Sequence, residues 1–218
     1  MPETATRMVW AGAAADAARA VAVVLHGRGQ TPKDMTGAIC DRLATRGVRF
    51  VLPSPGGAGW YDAKAVEPMT DRTETQLRAA LSIVAEAEAA ARAACPGVPL
   101  VLIGFSQGAC LVIEHLMRGG QADAAAMLTG CRVGAGTDGL PRADLPGIPV
   151  YCSNGDDDPW IPTWAFLSAI SDLTGAGARL RCDVFPGRAH EVSAPEIAAL
   201  DGLLADVAAG QTAFGGAA

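Results

Sequence analysis

Val98-Pro99-Leu100-Val101-Leu102-Ile103-Gly104-Phe105-Ser106-Gln107-Gly108-Ala109-Cys110-Leu111-Val112-Ile113 decides how the rest of the chain is read. It opens on an apolar run that is too short to span a membrane and rich in β-branched residues, the pattern of a strand buried on both faces. Without a linker it runs into Gly104-Phe105-Ser106-Gln107-Gly108 and then into a helix-competent segment. The pentad fits G-x-S-x-G, in which a serine projects from a sharp strand-to-helix turn. The glycines have a steric reason, because such a turn leaves no room for side chains beside the nucleophile. The plainer reading of the same residues is a glycine-rich turn whose serine only caps the helix.

Working outward, strand and helix alternate along the chain. Residues 20–25 (Ala-Val-Ala-Val-Val-Leu) form a β-branched run ending in His26-Gly27-Arg28-Gly29-Gln30. Thr31-Pro32-Lys33-Asp34 opens a helix predicted to reach residue 46, with Thr31 as cap and Asp34 complementing the dipole. Val48-Arg49-Phe50-Val51-Leu52-Pro53 is the next strand, and residues 7–10 suggest a short first one. Residues 54–72 carry no periodicity, and loops of that length in a compact domain tend to be functional or mobile. A long helix is predicted over residues 73–94 from their Ala/Glu/Leu/Arg composition. After the opening stretch come a strand at 124–129, a loop to 146, a strand at 147–154, a helix over 160–174, an alternating edge strand over 178–185 and a last helix over 195–209. This order demands a mostly parallel central sheet with helices on both faces. One domain is expected over residues 1–209, with residues 210–218 as a disordered tail.

In such sheets ligands bind at the carboxyl ends of the strands. The polar motifs all fall there: His26-Gly27-Arg28-Gly29, Ser106, Asp156 to Asp158, and His190 each follow a strand directly. A serine hydroxyl needs an adjacent base, normally a histidine oriented by a carboxylate. The chain has three histidines. His26 lies in a glycine loop, where shaping the backbone or hydrogen bonding suits it better than proton transfer. His115 lies about two and a half turns beyond Ser106 on the same helix, too far to reach it. His190, in the turn after the final strand, is the one placed to act as base. Asp156, Asp157 and Asp158 all fit the carboxylate by position; Asp157 fits least, and position does not separate Asp156 from Asp158. Acyl transfer also needs donors for the developing oxyanion. The backbone N–H of Gln107 supplies one, and that of Arg28 is expected to supply the second. The Gly27–Gly29 loop lacks the spacing of a phosphate cradle.

Bulk properties narrow the classes. The 218 residues carry a formal net charge of −6, which argues against a nucleic-acid surface and against an anionic membrane surface. No basic region followed by an apolar one opens the chain, so the expected location is cytoplasmic. The six cysteines, at 40, 95, 110, 131, 152 and 182, form no C-x-x-C pair. They read as small core residues in a reducing compartment, with no metal site and no disulfide framework.

The order Ser, Asp, His is that of the α/β-hydrolases. The chain resembles their phospholipase/carboxylesterase group, which includes the acyl-protein thioesterases, over roughly residues 21–208. The likeness is carried by Leu25-His26-Gly27-Arg28-Gly29, Trp60-Tyr61, Gly104-Phe105-Ser106-Gln107-Gly108-Ala109, Gly155-Asp156-Asp157-Asp158-Pro159-Trp160-Ile161-Pro162 and Gly187-Arg188-Ala189-His190-Glu191. This resemblance assigns the triad carboxylate to Asp158. It implies a cofactor-free serine esterase acting on short- to medium-chain small-molecule esters, with Trp60, Tyr61, Met69, Trp160 and Trp164 around the acyl group. The Leu-rich lid of the mammalian acyl-protein thioesterases has no match, since residues 63–71 are short and polar. Acyl-thioesterase or lysophospholipase activity in the same fold, and a non-catalytic binding protein built on it, are the alternatives. Related enzymes are often dimers, so a homodimer is one expectation; stable membrane insertion is not expected.

Overall fold

The computed structural model describes residues 7–214. Seven strands form one sheet: β1 (Arg7–Gly12), β2 (Ala20–Leu25), β3 (Val48–Ser54), β4 (Leu100–Phe105), β5 (Ala124–Leu128), β6 (Pro149–Gly155) and β7 (Arg179–Phe185). Their spatial order is β1-β3-β2-β4-β5-β6-β7. Only β1 runs antiparallel to its neighbour, with Val9 opposite Leu52. The strand of the opening stretch, β4, is thus the middle of the sheet.

Helices α1 (Pro32–Ala38) and α5 (Ala194–Ala208) cover one face, and α2 (Asp71–Ala94), α3 (Gln107–Met117) and α4 (Thr163–Gly175) the other. Strand periodicity divides the core between them. Val21, Val23 and Leu25 face α2 and α3, while Ala20, Ala22 and Val24 face α1 and α5. Leu100 and Leu102 alternate in the same way with Val101, Ile103 and Phe105. Burial on both sides is why the central strands read as unbroken apolar runs. The edge strand β7 has no fully buried residue, and its exposure departs from the alternation expected from its sequence: Cys182 and Val184 are exposed, whereas Leu180, Asp183 and Phe185 are half-buried.

Three boundaries differ from expectation for identifiable reasons. Helix α1 ends at Ala38 rather than near residue 46. The amides of Ala44 and Thr45, which a longer helix would use internally, donate instead to Asp201 Oδ1 on α5 at 2.9 and 2.7 Å. Helix α4 begins at Thr163 rather than at residue 160, because the amides of Trp160 and Ile161 are taken by Asp158. Beyond Gly210 the chain stays packed as far as it is described. Ala213 is buried and its carbonyl accepts a bond from Arg179. Only residues 215–218 of the expected tail lie outside the described residues.

The helix starts follow their capping residues. Thr31 and Asp34 form a reciprocal capping box on α1, and Ser193 and Glu196 form another on α5. Glu196 is fully buried and also accepts from Ser153 Oγ at 2.6 Å, which fastens the start of α5 to β6.

Candidate active site

Ser106 joins β4 to α3 with φ 56° and ψ −120°, a conformation that residues other than glycine rarely adopt. The turn is held because its backbone is satisfied: the Ser106 amide donates to Leu128 O at 3.0 Å, and its carbonyl accepts from Cys110 N at 3.0 Å. The flanking glycines are required by space. A Cβ on Gly104 would sit 2.2 Å from Gly108 O, and one on Gly108 would sit 2.2 Å from Leu25 O. The close packing of β2, β4 and α3 therefore pushes the serine side chain outward at the carboxyl end of the sheet.

His190 meets this serine from the turn after β7. Its Nε2 lies 2.9 Å from Ser106 Oγ, and its Nδ1 lies 2.7 Å from Asp158 Oδ2. An ionised carboxylate only accepts, so Nδ1 carries the ring proton and Nε2 is left to accept from the serine hydroxyl. The Asp158 side chain is fully buried, and its other oxygen accepts the amides of Trp160 and Ile161 at 2.8 and 2.9 Å. Asp156, which position alone could not separate from Asp158, turns elsewhere: its Oδ1 accepts the Gly187 amide at 2.6 Å and ties the β6 loop to the β7 turn. Asp157 is exposed.

Gln107 and Arg28 line the same cavity as Ser106 and His190. As the first residue of α3, Gln107 has a backbone N–H with no carbonyl of the preceding turn to bind. Among the described residues, neither this amide nor that of Arg28 donates to a protein acceptor. The Gln107 side chain has a second task that the sequence did not reveal. Its Oε1 accepts the Trp60 amide at 2.9 Å and its Nε2 donates to Tyr61 O at 2.8 Å, pinning residues 60–61 over the site.

Of the five residues expected around an acyl group, Tyr61 and Trp160 line the cavity. Trp60, Met69 and Trp164 do not. Trp60 is buried against His26, with ring centroids 4.8 Å apart, and its indole N–H donates to His26 O at 2.8 Å. Met69 is drawn away by its amide bond to Asp138 Oδ2 at 2.7 Å, which places its side chain beside Gly134. Trp164, on the outer side of α4, lines a neighbouring cavity. The cavity beside Ser106 measures about 330 Å³ and is completed by Ala63, Lys64, Ala65, Cys110, Arg132, Val133 and Ile161. Burial pushes the Tyr61 phenol well above its ordinary range, so it stays a neutral group there.

The other two histidines have structural partners. His26 is buried, its Nδ1 bonds Gly27 O at 2.8 Å, and burial lowers its pKa. His115 is buried on α3 and pairs with Glu88 Oε2 at 3.0 Å.

Two supports had little signal in sequence. Arg188, buried at the base of the histidine turn, donates to the carbonyls of Ala189 and Glu191 on either side of His190 at 2.7 and 2.5 Å. Its Nη2 reaches Thr129 Oγ1 at 2.6 Å, at the end of β5. The second is Glu114, fully buried on α3. It accepts from Arg132 Nε at 2.7 Å and from the Val133 amide at 3.1 Å, and so fixes the far wall of the cavity. Arg188 lies inside the Gly187–Glu191 motif, which marks the turn but not the bonds this side chain makes, and Glu114, a single charged residue inside a helix, carries no periodic or motif signal. Only a count of charges on otherwise apolar faces could have raised Glu114.

Among the described residues no group of three or more His, Cys, Asp or Glu could hold a metal ion, and no helix is long and apolar enough to cross a membrane. All six cysteines are free thiols; Cys95, Cys110, Cys131 and Cys152 are core residues, whereas Cys40 is half-buried and Cys182 exposed.

A parallel sheet with a strained serine turn at its centre and a histidine and aspartate at neighbouring strand ends defines the α/β-hydrolase fold. The model of the phospholipase/carboxylesterase family matches residues 10–207, so the chain belongs to that family and is a hydrolase of ester bonds. The chain is 27% identical to the phospholipase/carboxylesterase of Dyadobacter fermentans, with a TM-score of 0.78 over 92% of this chain and 97% of that one. The carboxylesterase of Bacillus cereus (18% identity, TM-score 0.74, 91% and 92% covered) and that of Mesorhizobium loti (22%, 0.71, 92% and 93%) share the fold. No curated protein matches the chain.

Proposed function

We propose that the protein is a serine carboxylesterase for short- to medium-chain esters, working through an acyl-enzyme on Ser106. The observation that carries this reading is His190 bridging Ser106 Oγ and Asp158 Oδ2 at 2.9 and 2.7 Å. Ser106 Oγ attacks the ester carbonyl while His190 Nε2 takes the hydroxyl proton. Asp158 holds the ring in its Nδ1–H tautomer and stabilises the imidazolium. The amides of Gln107 and Arg28 receive the charge that builds on the carbonyl oxygen. His190 then returns the proton to the departing alkoxide, which leaves as the alcohol. Water, deprotonated by His190, attacks the acyl-enzyme and releases the acid and free serine.

A cavity of about 330 Å³ stands at the small end of ligand sites, which run from roughly 300 to 1,000 Å³. That size supports short to medium acyl groups over long lipid chains. A panel of p-nitrophenyl esters from acetate to palmitate, with Ser106→Ala as control, tests the reading. The expected profile peaks at short to medium chains and vanishes in the variant. A maximum at palmitate would refute the chain-length assignment. Activity that survives Ser106→Ala would refute the mechanism.

A further inference from the structure

The residues lining the cavity beside Ser106 include three cationic ones, Arg28, Lys64 and Arg132, and no acidic one. This is the reverse of the chain as a whole, whose formal net charge is −6. The three cations are not equivalent. Arg132 is neutralised within the protein by Glu114 at 2.7 Å and Asp172 at 3.0 Å. Arg28 has no such counter-ion at contact: its guanidinium donates to the neutral carbonyl of Ala63 at 2.5 Å. Lys64 is exposed, and its ammonium has no ion-pair partner among the described residues.

The acids near these two cations hydrogen-bond other groups rather than the two cationic heads. Asp62 feels Arg28, but its Oδ2 is held by Arg72 and by Gln76 Nε2. Glu67 accepts the backbone amide of Lys64 at 2.9 Å. Asp158 is buried behind His190. Nor is the loop that carries Lys64 loosely placed. Gln107 bonds the backbone of Trp60 and Tyr61, Gln76 accepts the Asp62 amide at 3.0 Å, and Arg28 holds Ala63. Arg28 and Lys64 therefore line the cavity of the reacting serine, and among the described residues neither makes a direct ion pair with a carboxylate. A cleft lined by one sign of charge concentrates ligands of the opposite sign and orients them.

We propose that the preferred substrate is an acidic ester, one bearing a carboxylate that Arg28 and Lys64 receive while its ester carbonyl lies against Ser106. The inference rests on the ester-hydrolase reading given above and specifies its substrate class. The carboxylate could be carried on the acyl part or on the alcohol part, and the two are separable by experiment. For the acyl side, phenyl hydrogen adipate is compared with its terminal amide, phenyl 5-carbamoylpentanoate. For the alcohol side, 4-butyryloxybenzoate is compared with 4-butyryloxybenzamide. Each pair differs in charge with little change of shape.

At low ionic strength at least one acid is expected to show kcat/KM about tenfold above its amide, mainly through KM. Salt at about 0.5 M erodes that preference. Lys64→Gln lowers the acid-to-amide ratio of kcat/KM several-fold and Lys64→Glu abolishes the preference, each ratio being taken within one variant so that a common loss of activity cancels. The inference is overturned if neither acid outruns its amide, or if the preference is untouched by Lys64→Glu; turnover of the amides then leaves the ester-hydrolase reading standing. It is also overturned if none of the four is hydrolysed, and fluorophosphonate labelling of Ser106 then decides whether that reading falls with it.

Discussion

His190 Nε2 stands 2.9 Å from Ser106 Oγ although 84 residues separate them in the chain. The serine comes from the central strand and the histidine from the turn after the edge strand, so their contact depends on how the β7 turn is held. Burial of Phe105 beneath the imidazole, with ring centroids 5.0 Å apart, fixes the ring from one side. Arg188 fixes the backbone from the other.

Arg188 is accordingly expected to act on catalysis without touching substrate. Arg188→Gln frees the carbonyls of Ala189 and Glu191 and lets His190 drift from Ser106. Misplacement of about 1 Å is enough to lower the rate roughly 10²-fold. Steady-state kinetics should show the loss in kcat with KM little changed, and Arg188→Lys should recover part of it. Equal losses in both variants, tracking only the fraction of folded protein, would leave Arg188 a purely structural role.

Gly108 in the serine turn and Gly37 in α1 should respond to alanine with opposite sign. Gly108→Ala drives a Cβ to 2.2 Å from Leu25 O, a backbone atom that cannot move aside. Overpacking of this kind costs about 1–3 kcal/mol, and more against rigid backbone. Gly37 lies within α1 with nothing inside 4 Å of an added Cβ. Gly37→Ala should therefore stabilise the fold by about 0.5–1 kcal/mol. Urea midpoints of the two variants check both signs.

The buried His26 makes stability depend on pH. Burial lowers its pKa below the ordinary 6.5, and its Nε2 has no partner to stabilise a proton. The unfolded chain therefore binds this proton more readily than the native protein. The contribution is complete above pH 6.5 and is lost as pH falls through the lowered native value. Urea unfolding between pH 7.5 and about pH 5 should show falling stability, with a shallower fall in His26→Gln. An identical slope in the variant would assign the effect to other groups.

The sheet was legible because its central strands are buried on both faces. Unbroken β-branched runs at Ala20–Leu25 and Leu100–Phe105 leave no helical alternative of adequate length. The relation among Ser106, Asp158 and His190 was legible up to one choice. Strand order put every candidate on one sheet edge, but two aspartates spaced two apart differ only in where their side chains point. That is settled by the amides of Trp160 and Ile161, which draw Asp158 inward, and by Gly187, which draws Asp156 to the turn. The acyl-site aromatics read less well. Trp60 and Trp164 advertise apolar surface in sequence, yet one packs against His26 and the other lines a neighbouring cavity. The end of α1 was not legible either, because the competitor for its amides is Asp201, 157 residues from Ala44.

The central claim is that Ser106 is the acylated nucleophile, and a fluorophosphonate probe tests it most directly. Intact-protein and peptide mass spectrometry of the labelled enzyme should find a single adduct, on the peptide carrying Ser106. His190→Ala should suppress labelling, and Ser106→Ala should lose it together with ester hydrolysis, a fall of roughly 10⁴–10⁶ in kcat. An adduct on another residue, or hydrolysis undiminished in Ser106→Ala, would contradict the account.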